Sequence, residues 1–294
     1  MIISQYNNGL VKYCPSSKDE NKLLRSFPGM LDIGLEKFSS SKPHVVSNLV
    51  ARLKAKGLKI EADQYVKDCV DKTFKLKEIP ESFKFFTTPL YHQIVALRFL
   101  YTMKSGGLLL EAGMGKTKVV LDYIALSGFI KSLVVSPKAL LFVWEDERRT
   151  HRPDKSMYVV ETTDWDKELP GILAADIVVI NYNKVVLLED NLKKIPWDYI
   201  NLDEFLIKDP TTLRTQAVTR LGNNVRYKTG GSGTLVNNSP LDVFAPVRFV
   251  EPSLTGPAFS RFKDEYSISK TVTSVDESKK MKFTVGYRKI PEIK

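Results

Sequence analysis

The chain has 294 residues, of which 43% are hydrophobic and 27% charged, and this composition is typical of a soluble globular protein rather than a disordered one. Its formal net charge of +10 favours polyanionic partners such as nucleic acid. No apolar run approaches the roughly 18–20 residues of a membrane span, and the amino terminus lacks a secretion signal. We therefore expect a cytoplasmic protein without a membrane partner. Two distant cysteines and three scattered histidines predict neither disulfides nor a zinc site.

Residues 1–80 are predicted to form a small α+β module, because short β-favouring stretches are followed by apolar residues at helical spacing. The predicted elements are strands at Ile2–Tyr6 and Leu10–Tyr13 and helices at Val45–Lys56 and Glu61–Lys72. Cationic residues follow one face of the first helix, where they form either a solvated face or a phosphate contact. A linker interrupted by prolines leads to the second predicted domain, residues 81–294.

From residue 89 onward, helical patterns alternate with short β-branched apolar runs. The predicted elements are helix Leu90–Lys104, strand Leu108–Glu111, helix Lys116–Ser127, strand Ser132–Ser136, helix Ala139–Arg149 and strands Met157–Val160, Asp176–Ile180 and Tyr199–Asp203. Strands separated by helices imply right-handed crossovers and a mostly parallel central sheet, which is an α/β fold. Ligands of such sheets bind at the carboxyl ends of the strands, so the motifs there are candidates for a site.

A glycine-rich turn, Ala112–Thr117, stands between a predicted strand and a predicted helix. In such a turn the backbone N–H groups surround phosphate oxygens, Lys116 reaches the β- and γ-phosphates, and the Thr117 hydroxyl can bind Mg²⁺. The pattern is the short GxGKT form, since Leu110 stands where the longer form has glycine. The sequence therefore predicts phosphate binding by Gly113, Gly115, Lys116 and Thr117.

The apolar strand that ends at Asp203 is followed by a second carboxylate, Glu204. At a nucleotide site the first carboxylate would hold Mg²⁺, together with Thr117, and the second would orient or deprotonate the attacking water. Acidic pairs at strand ends are also common as solvated residues. Because this pair follows the phosphate loop at a suitable distance, we favour the catalytic interpretation, in which Lys116, Asp203 and Glu204 carry the reaction.

Further segments occur in an order that resembles the first RecA-like lobe of the Swi/Snf family of superfamily-two DNA translocases, in particular its compact phage-type members. The resemblance covers about residues 85–290. The segments that carry it, besides the phosphate loop and the acidic pair, are Thr87–Gln93, Leu133–Lys138, Ile180–Asn183, Ser232–Asn238 and Ser239–Phe244.

This resemblance implies a RecA-like P-loop domain with ATP and Mg²⁺ as cofactors, and an ATP hydrolase of the helicase or DNA-translocase type that acts on duplex DNA. Gln93 is implied to recognise adenine. Four residues are implied to lie near a DNA-tracking surface: Ser136, Lys138, Asn181 and Tyr182. Two others, Ser232 and Thr234, are implied to connect the nucleotide state to the grip on DNA. Helix capping, ordinary packing and turn formation remain open as their alternative roles.

The resemblance also implies a second RecA-like lobe, or a complementing polypeptide, that would supply an arginine finger. The chain is too short to contain both lobes, so we expect it to bind nucleotide but to hydrolyse it slowly alone. The phage-type likeness predicts the cytoplasm of a bacterium or of a phage-infected host.

The chain departs from the family pattern after the acidic pair, where Phe205-Leu206 leads directly to Ile207-Lys208. The segment is one residue short and lacks the histidine that usually links the acidic pair to the coupling segment. Leu235 replaces the usual proline. These departures keep a different class of function open, an ATP-gated DNA-binding regulatory module without motor activity. A small-molecule kinase is disfavoured because it accounts for neither the Ile180–Asn183 nor the Ser232–Asn238 segment.

Overall fold

The computed structural model describes residues 2–6, 10–14, 31–32, 38–40, 50, 61–62, 76–236, 239–255, 258–273 and 280–287. The chain divides into two compact units. The first comprises Met1–Lys75 with Pro252–Arg261, and the second comprises Leu76–Glu251 with Phe262–Lys294. The predicted boundary at residue 80 thus lies slightly downstream of the division seen in the structure, and the first unit also takes up a segment from late in the chain.

The first unit contains a five-stranded sheet with the strand order β3-β4-β2-β1-β5. Its strands are β1 (Ile2–Tyr6), β2 (Leu10–Cys14), β3 (Leu31–Asp32), β4 (Phe38–Ser40) and β5 (Glu61–Ala62). The two strands predicted at the amino terminus are confirmed. The helix predicted over Glu61–Lys72 is wrong at its start, because residues 61–62 pair with β1 and this pairing overrides the local helical periodicity. The helix predicted over Val45–Lys56 lies outside the described residues, apart from Val50.

The second unit is built around a six-stranded sheet with the order β6-β11-β10-β7-β9-β8, in which every neighbouring pair is parallel. Its strands are β6 (Gly106–Leu108), β7 (Ser132–Ser136), β8 (Met157–Val159), β9 (Ile177–Asn181), β10 (Tyr199–Asp203) and β11 (Tyr227–Gly231). Parallel pairing requires crossover connections, and helices provide them. The predicted α/β fold with a mostly parallel sheet is therefore confirmed.

The helices from residue 76 onward begin and end as follows: α1 (Tyr91–Met103), α2 (Lys116–Ser127), α3 (Leu141–His151), α4 (Trp165–Ala174), α5 (Tyr182–Leu187), α6 (Glu189–Leu192), α7 (Leu213–Gly222), α8 (Phe244–Val250) and α9 (Phe259–Tyr266). An antiparallel hairpin, β12 (Ser267–Thr273) and β13 (Lys280–Tyr287), follows them. No helix in the described part of the chain has the length and apolar character that crossing a bilayer requires.

The core lies on both faces of the sheet, since every residue of β7, β9 and β10 is buried. Alternate residues of these strands enter two separate hydrophobic clusters. One cluster joins the sheet to α1, α2 and α3, and the other joins it to α4, α5, α6, α7 and α8. Burial of each large apolar side chain contributes about 1.5–3 kcal/mol, so this double coverage holds the strand ends in fixed positions.

Two strands next to the phosphate loop differ from prediction. The first was predicted at Leu108–Glu111 but ends at Leu108, because the following residues turn out of the sheet and Leu109 is exposed. The strand β11 was not predicted, since its glycine-rich end resembles a turn. Its pairing with β6 and β10 on either side makes it an interior strand. The short helix α5 was also missed, although Asn181 gives it a capping side chain.

Candidate nucleotide site

The phosphate loop, residues 109–115, connects β6 to α2. Gly113 and Gly115 adopt φ angles of 79° and 75°, which favour glycine because other side chains clash there. Because α2 begins at Lys116, the N–H groups of its first turn have no acceptor within the helix. The first turn of α2 therefore presents N–H groups without a helical acceptor beside the glycine-rich loop, at the positive end of a helix dipole, which is the arrangement that binds phosphate.

Gln93 of α1 packs against the phosphate loop. Its Nε2 donates to Met114 O at 3.3 Å, and its Oε1 accepts a hydrogen bond from Leu90 N at 3.0 Å. The neighbouring His92 Nε2 lies 2.9 Å from the same carbonyl, Met114 O. The sequence assigned no role to His92. The structure thus brings the glutamine implied to recognise adenine to the loop implied to hold phosphate, while the role of Gln93 toward adenine stays a prediction.

Replacing Gly115 with alanine is expected to weaken nucleotide binding at least about tenfold, because the backbone is left-handed and such strain costs about 1–3 kcal/mol. A Cβ at this position would also lie 2.2 Å from Gln93 Nε2. The measurement is a fluorescence titration with an ATP analogue. The matched control is Gly128→Ala, since Gly128 has a φ of 68° but nothing within 4 Å of an added Cβ. Equal affinities of the two variants would contradict the expectation.

The structure brings Lys116 and the acidic pair together at one edge of the sheet. Lys116 Nζ lies 3.6 Å from Glu204 Oε1 and donates to Leu110 O at 3.0 Å and to Glu111 O at 3.3 Å. Gly231, which pairs with Asp203 across β10 and β11, would place a Cβ only 3.1 Å from Lys116 Cδ. Because Gly231 has no Cβ, the Lys116 side chain has room to extend to the acidic pair.

The Asp203 carboxylate is held by two buried donors. Ser136 Oγ donates to Asp203 Oδ2 at 2.8 Å, and Trp144 Nε1 donates to the same oxygen at 2.9 Å. Burial raises the pKa of Asp203 above its usual range, and these two hydrogen bonds oppose that rise. Among the described residues no side chain donates to the other oxygen, Oδ1. The contact from Trp144 could not be predicted from the sequence, because Trp144 lies 59 residues before Asp203.

The side chains of Asp203 and Thr117 carry oxygen atoms of the kind that bind a magnesium ion. The carboxylate of Asp203 has one oxygen fixed by donors and the other without a hydrogen bond within the described residues. Thr117 is the second residue of α2 and contributes a half-buried hydroxyl. Carboxylate and hydroxyl oxygens are the hard ligands that Mg²⁺ prefers, and it keeps several waters besides. Asp203 and Thr117 are the residues that would hold the ion.

Of the four residues implied to lie near a DNA-tracking surface, the structure exposes only Lys138, in a short 3₁₀ turn after β7. Ser136 is fully buried against Asp203. Asn181 is buried and caps α5, where its Oδ1 accepts from Lys184 N at 3.0 Å. Tyr182 is 3% exposed, and its hydroxyl donates to the backbone of the acidic pair. The side chains of Ser136, Asn181 and Tyr182 therefore lie inside the domain, and their nearness to a DNA-tracking surface stays a prediction.

The coupling segment contacts Glu204 directly. Ser232 Oγ lies 3.1 Å from Glu204 Oε2 and 2.9 Å from Thr234 O, and it accepts a hydrogen bond from Thr234 N at 3.3 Å. Thr234 itself is exposed. The histidine that usually links the acidic pair to this segment is missing, and Ser232 contacts Glu204 directly without it. Phe205 is buried against Gly230, where an added Cβ would lie 2.2 Å from its ring.

The sheet, the phosphate loop and the facing acidic pair define a RecA-like P-loop domain. The SNF2-related domain family matches residues 92–286, and the chain belongs to that family. The fold agrees with the SWI2/SNF2 ATPase core of Sulfolobus solfataricus, solved in complex with dsDNA, with a TM-score of 0.58 and 26% identity. That match covers 66% of this chain and 41% of the solved one.

Two curated relatives are also similar to this chain in sequence. The chain is 26% identical over 228 residues to the ISWI chromatin-remodeling complex ATPase ISW1 of Saccharomyces cerevisiae, which covers 69% of this chain and 20% of the relative. It is 33% identical over 132 residues to the TATA-binding protein-associated factor mot1 of Aspergillus fumigatus, covering 43% of this chain and 7% of the relative. The chain thus spans a fifth or less of the length of these relatives.

The predicted location in the cytoplasm of a bacterium or a phage-infected host is wrong. The relatives include chromatin-remodeling ATPases of yeast and fruit fly and a human DNA excision repair protein. The phage-like motif pattern that suggested the location does not distinguish the chain from these proteins. The family membership stands, and the narrower phage-type grouping stays a prediction from the motifs alone.

Proposed function

We propose that this chain is the ATP-binding lobe of a DNA-dependent ATPase of the helicase or translocase type. It binds Mg-ATP and duplex DNA and needs a second RecA-like lobe for efficient hydrolysis. The observation that carries the proposal is the 3.6 Å approach of Lys116 Nζ to Glu204, beside an Asp203 carboxylate with one oxygen open. Phosphate loop, lysine and acidic pair then line one site at the carboxyl ends of the strands.

In the proposed site each side chain has a distinct task. Lys116 leaves the carbonyls of Leu110 and Glu111 to neutralise the β- and γ-phosphates, while the loop N–H groups bind the phosphate oxygens. Asp203 and Thr117 would hold a Mg²⁺ ion, which would supply charge neutralisation at the phosphates. Glu204 orients the attacking water and takes its proton.

Glu204 is held at both carboxylate oxygens. Oε1 faces Lys116 at 3.6 Å, and Oε2 faces Ser232 at 3.1 Å. When Lys116 turns to the phosphates, Oε1 of Glu204 is freed from its ion pair and can face the attacking water. Ser232 then remains as its orienting contact. The arrangement supports Glu204 as a general base that is freed from its contact with Lys116 when nucleotide binds.

Duplex DNA is the proposed nucleic-acid partner. The net charge of +10 favours phosphate contacts, and a solved relative of 26% identity is described in complex with dsDNA. Lys138 lies exposed two residues beyond Ser136, at the carboxyl edge of the sheet, and is the proposed phosphate contact there. The hydrogen bonds that Asn181 and Tyr182 make within the domain support a role for both residues in holding that edge of the sheet.

The second candidate function is an ATP-gated DNA-binding module without motor activity. The missing histidine after the acidic pair favours it. The direct contact between Ser232 and Glu204 favours the enzyme, because the acidic pair and the coupling segment are already joined. In the regulatory module, DNA affinity would change with ATP while phosphate release stays at background even with a complementing lobe.

An ATPase assay with and without duplex DNA tests the proposal. We expect DNA to stimulate turnover once a second lobe is present, and we expect Lys116→Ala to remove that turnover, because the variant loses the charge that the phosphates need. Lys167→Ala, which removes an exposed lysine of α4, is the control and should turn over as wild type does. Turnover that Lys116→Ala leaves unchanged would rule out the proposed site.

A further inference from the structure

The backbone of the acidic pair is strained at its second residue. Glu204 has a φ of 49°, in the left-handed region that residues with a Cβ rarely adopt. Such a conformation costs about 1–3 kcal/mol and persists only where the surroundings hold it. Glycine would relieve the strain, but glycine carries no carboxylate. The turn therefore needs a contact elsewhere in the fold to keep Glu204 in place.

The contact is made by the Tyr182 hydroxyl. Tyr182 Oη donates to Glu204 O at 2.9 Å and lies 3.1 Å from Asp203 O. These two carbonyls belong to the two peptide groups that flank the Glu204 Cα. A single hydroxyl that engages both carbonyls restrains both backbone torsions of Glu204, and so fixes the direction of its side chain.

The Tyr182 side chain is itself held in place by the residues around it. Tyr182 is the first residue of α5, directly after the cap Asn181, and its ring is buried in the core cluster beneath the sheet. The Arg214 guanidinium lies 5.9 Å from the centre of the ring and donates to Asn183 Oδ1 at 2.9 Å. The hydroxyl is thus presented from a rigid support rather than from a mobile side chain.

We propose that Tyr182 is a positioning residue for the nucleotide site: it holds the left-handed turn so that Asp203 and Glu204 face the phosphate loop. This inference rests on the proposed function. Tyr182 contacts neither the phosphates nor the metal ligands' side chains. It acts through the backbone, and its loss should therefore impair the metal-dependent part of nucleotide binding more than the part that depends on the phosphate loop.

The test is Tyr182→Phe, which removes the hydroxyl and keeps the ring. Equilibrium binding of a fluorescent ATP analogue is measured with Mg²⁺ and with a chelator. We expect affinity with Mg²⁺ to fall about three- to tenfold, the effect of one hydrogen bond, and affinity under chelation to stay unchanged. Raising the Mg²⁺ concentration should restore part of the loss, which a merely structural defect would not allow.

The matched control is Tyr123→Phe. Tyr123 is also fully buried, and its hydroxyl also donates to a backbone carbonyl, Lys104 O at 2.8 Å, but it lies away from the acidic pair. The Tyr123→Phe substitution should lower the thermal stability of the protein without changing the Mg²⁺ dependence of ATP-analogue binding. A wild-type Mg²⁺ dependence in Tyr182→Phe, or an equal loss with and without Mg²⁺, would overturn the inference. If the Lys116→Ala variant bound the ATP analogue with wild-type affinity, that result would contradict the proposed function itself.

Discussion

Replacing Glu204 with glutamine is expected to lower DNA-stimulated ATP turnover by about 10²–10⁴-fold, the usual contribution of a general base. Glutamine has nearly the same shape and can still contact Ser232, which lies 3.1 Å from Glu204 Oε2. An amide cannot take the proton of the attacking water. Mg-ATP affinity should stay close to that of wild type, because Asp203 and Lys116 remain. Steady-state kinetics with a second lobe present would give kcat and KM separately.

The control for this variant is Asp166→Asn. Asp166 is an exposed acidic residue of α4, outside the proposed site. Loss of a carboxylate charge alone would slow both variants equally. A Glu204→Gln protein with wild-type kcat, or one that loses only Mg-ATP affinity, would contradict the role of Glu204 as the base.

Supplying a second RecA-like lobe is expected to raise turnover by about 10³-fold or more, because an arginine finger stabilises charge on the transferred phosphoryl group. This chain covers 41% of the solved Sulfolobus solfataricus core, so the remainder of that core is the part to test as the proposed lobe. Phosphate release would be measured on the chain alone and with the lobe added or fused, each with duplex DNA.

The control uses the same second lobe with its finger arginine changed to alanine. That lobe can still dock and cover the nucleotide, so it separates the chemical contribution of the arginine from exclusion of water. Full turnover by the chain alone would contradict the need for a partner lobe. An unchanged background rate with the intact lobe, combined with ATP-dependent DNA affinity, would support the regulatory module instead.

The phosphate loop and the acidic pair could be predicted because each is local. A glycine-rich turn before a helix and a carboxylate after an apolar strand are short patterns whose geometry follows from the backbone. The alternation of strands and helices similarly predicted the parallel sheet. That sheet has its strand ends at one edge, so the meeting of Lys116 with Glu204 at 3.6 Å followed from local patterns and a general rule of topology.

The support of the site could not be predicted in this way, because its contacts join distant parts of the chain. Ser136 and Trp144 lie 67 and 59 residues before the Asp203 carboxylate that they hold. Tyr182 reaches the acidic pair from 21 and 22 residues away. Family likeness implied only that Ser136 and Tyr182 lie near a DNA-tracking surface, since motif order records neighbours in sequence and not the direction of a side chain.

The glycine-rich strand β11 shows a second reason why part of the fold could not be predicted from the sequence. The glycine-rich end of this strand resembles a turn, but Gly230 and Gly231 both lie in an interior strand of the sheet. Each glycine makes room for a large neighbour: Phe205 lies against Gly230, and the Lys116 stem lies against Gly231. Close approach of another side chain and backbone flexibility both select glycine, and composition alone cannot separate the two causes.

The most direct measurement is a crystal structure of the chain with Mg²⁺ and a non-hydrolysable ATP analogue. The account predicts that Lys116 Nζ leaves Leu110 O for the phosphates, and that the metal is held by Thr117 and Asp203 beside Glu204. A nucleotide bound elsewhere, or phosphates in the loop with Lys116 still on the Leu110 carbonyl and no metal at Asp203, would contradict a single site shared by the lysine and the acidic pair.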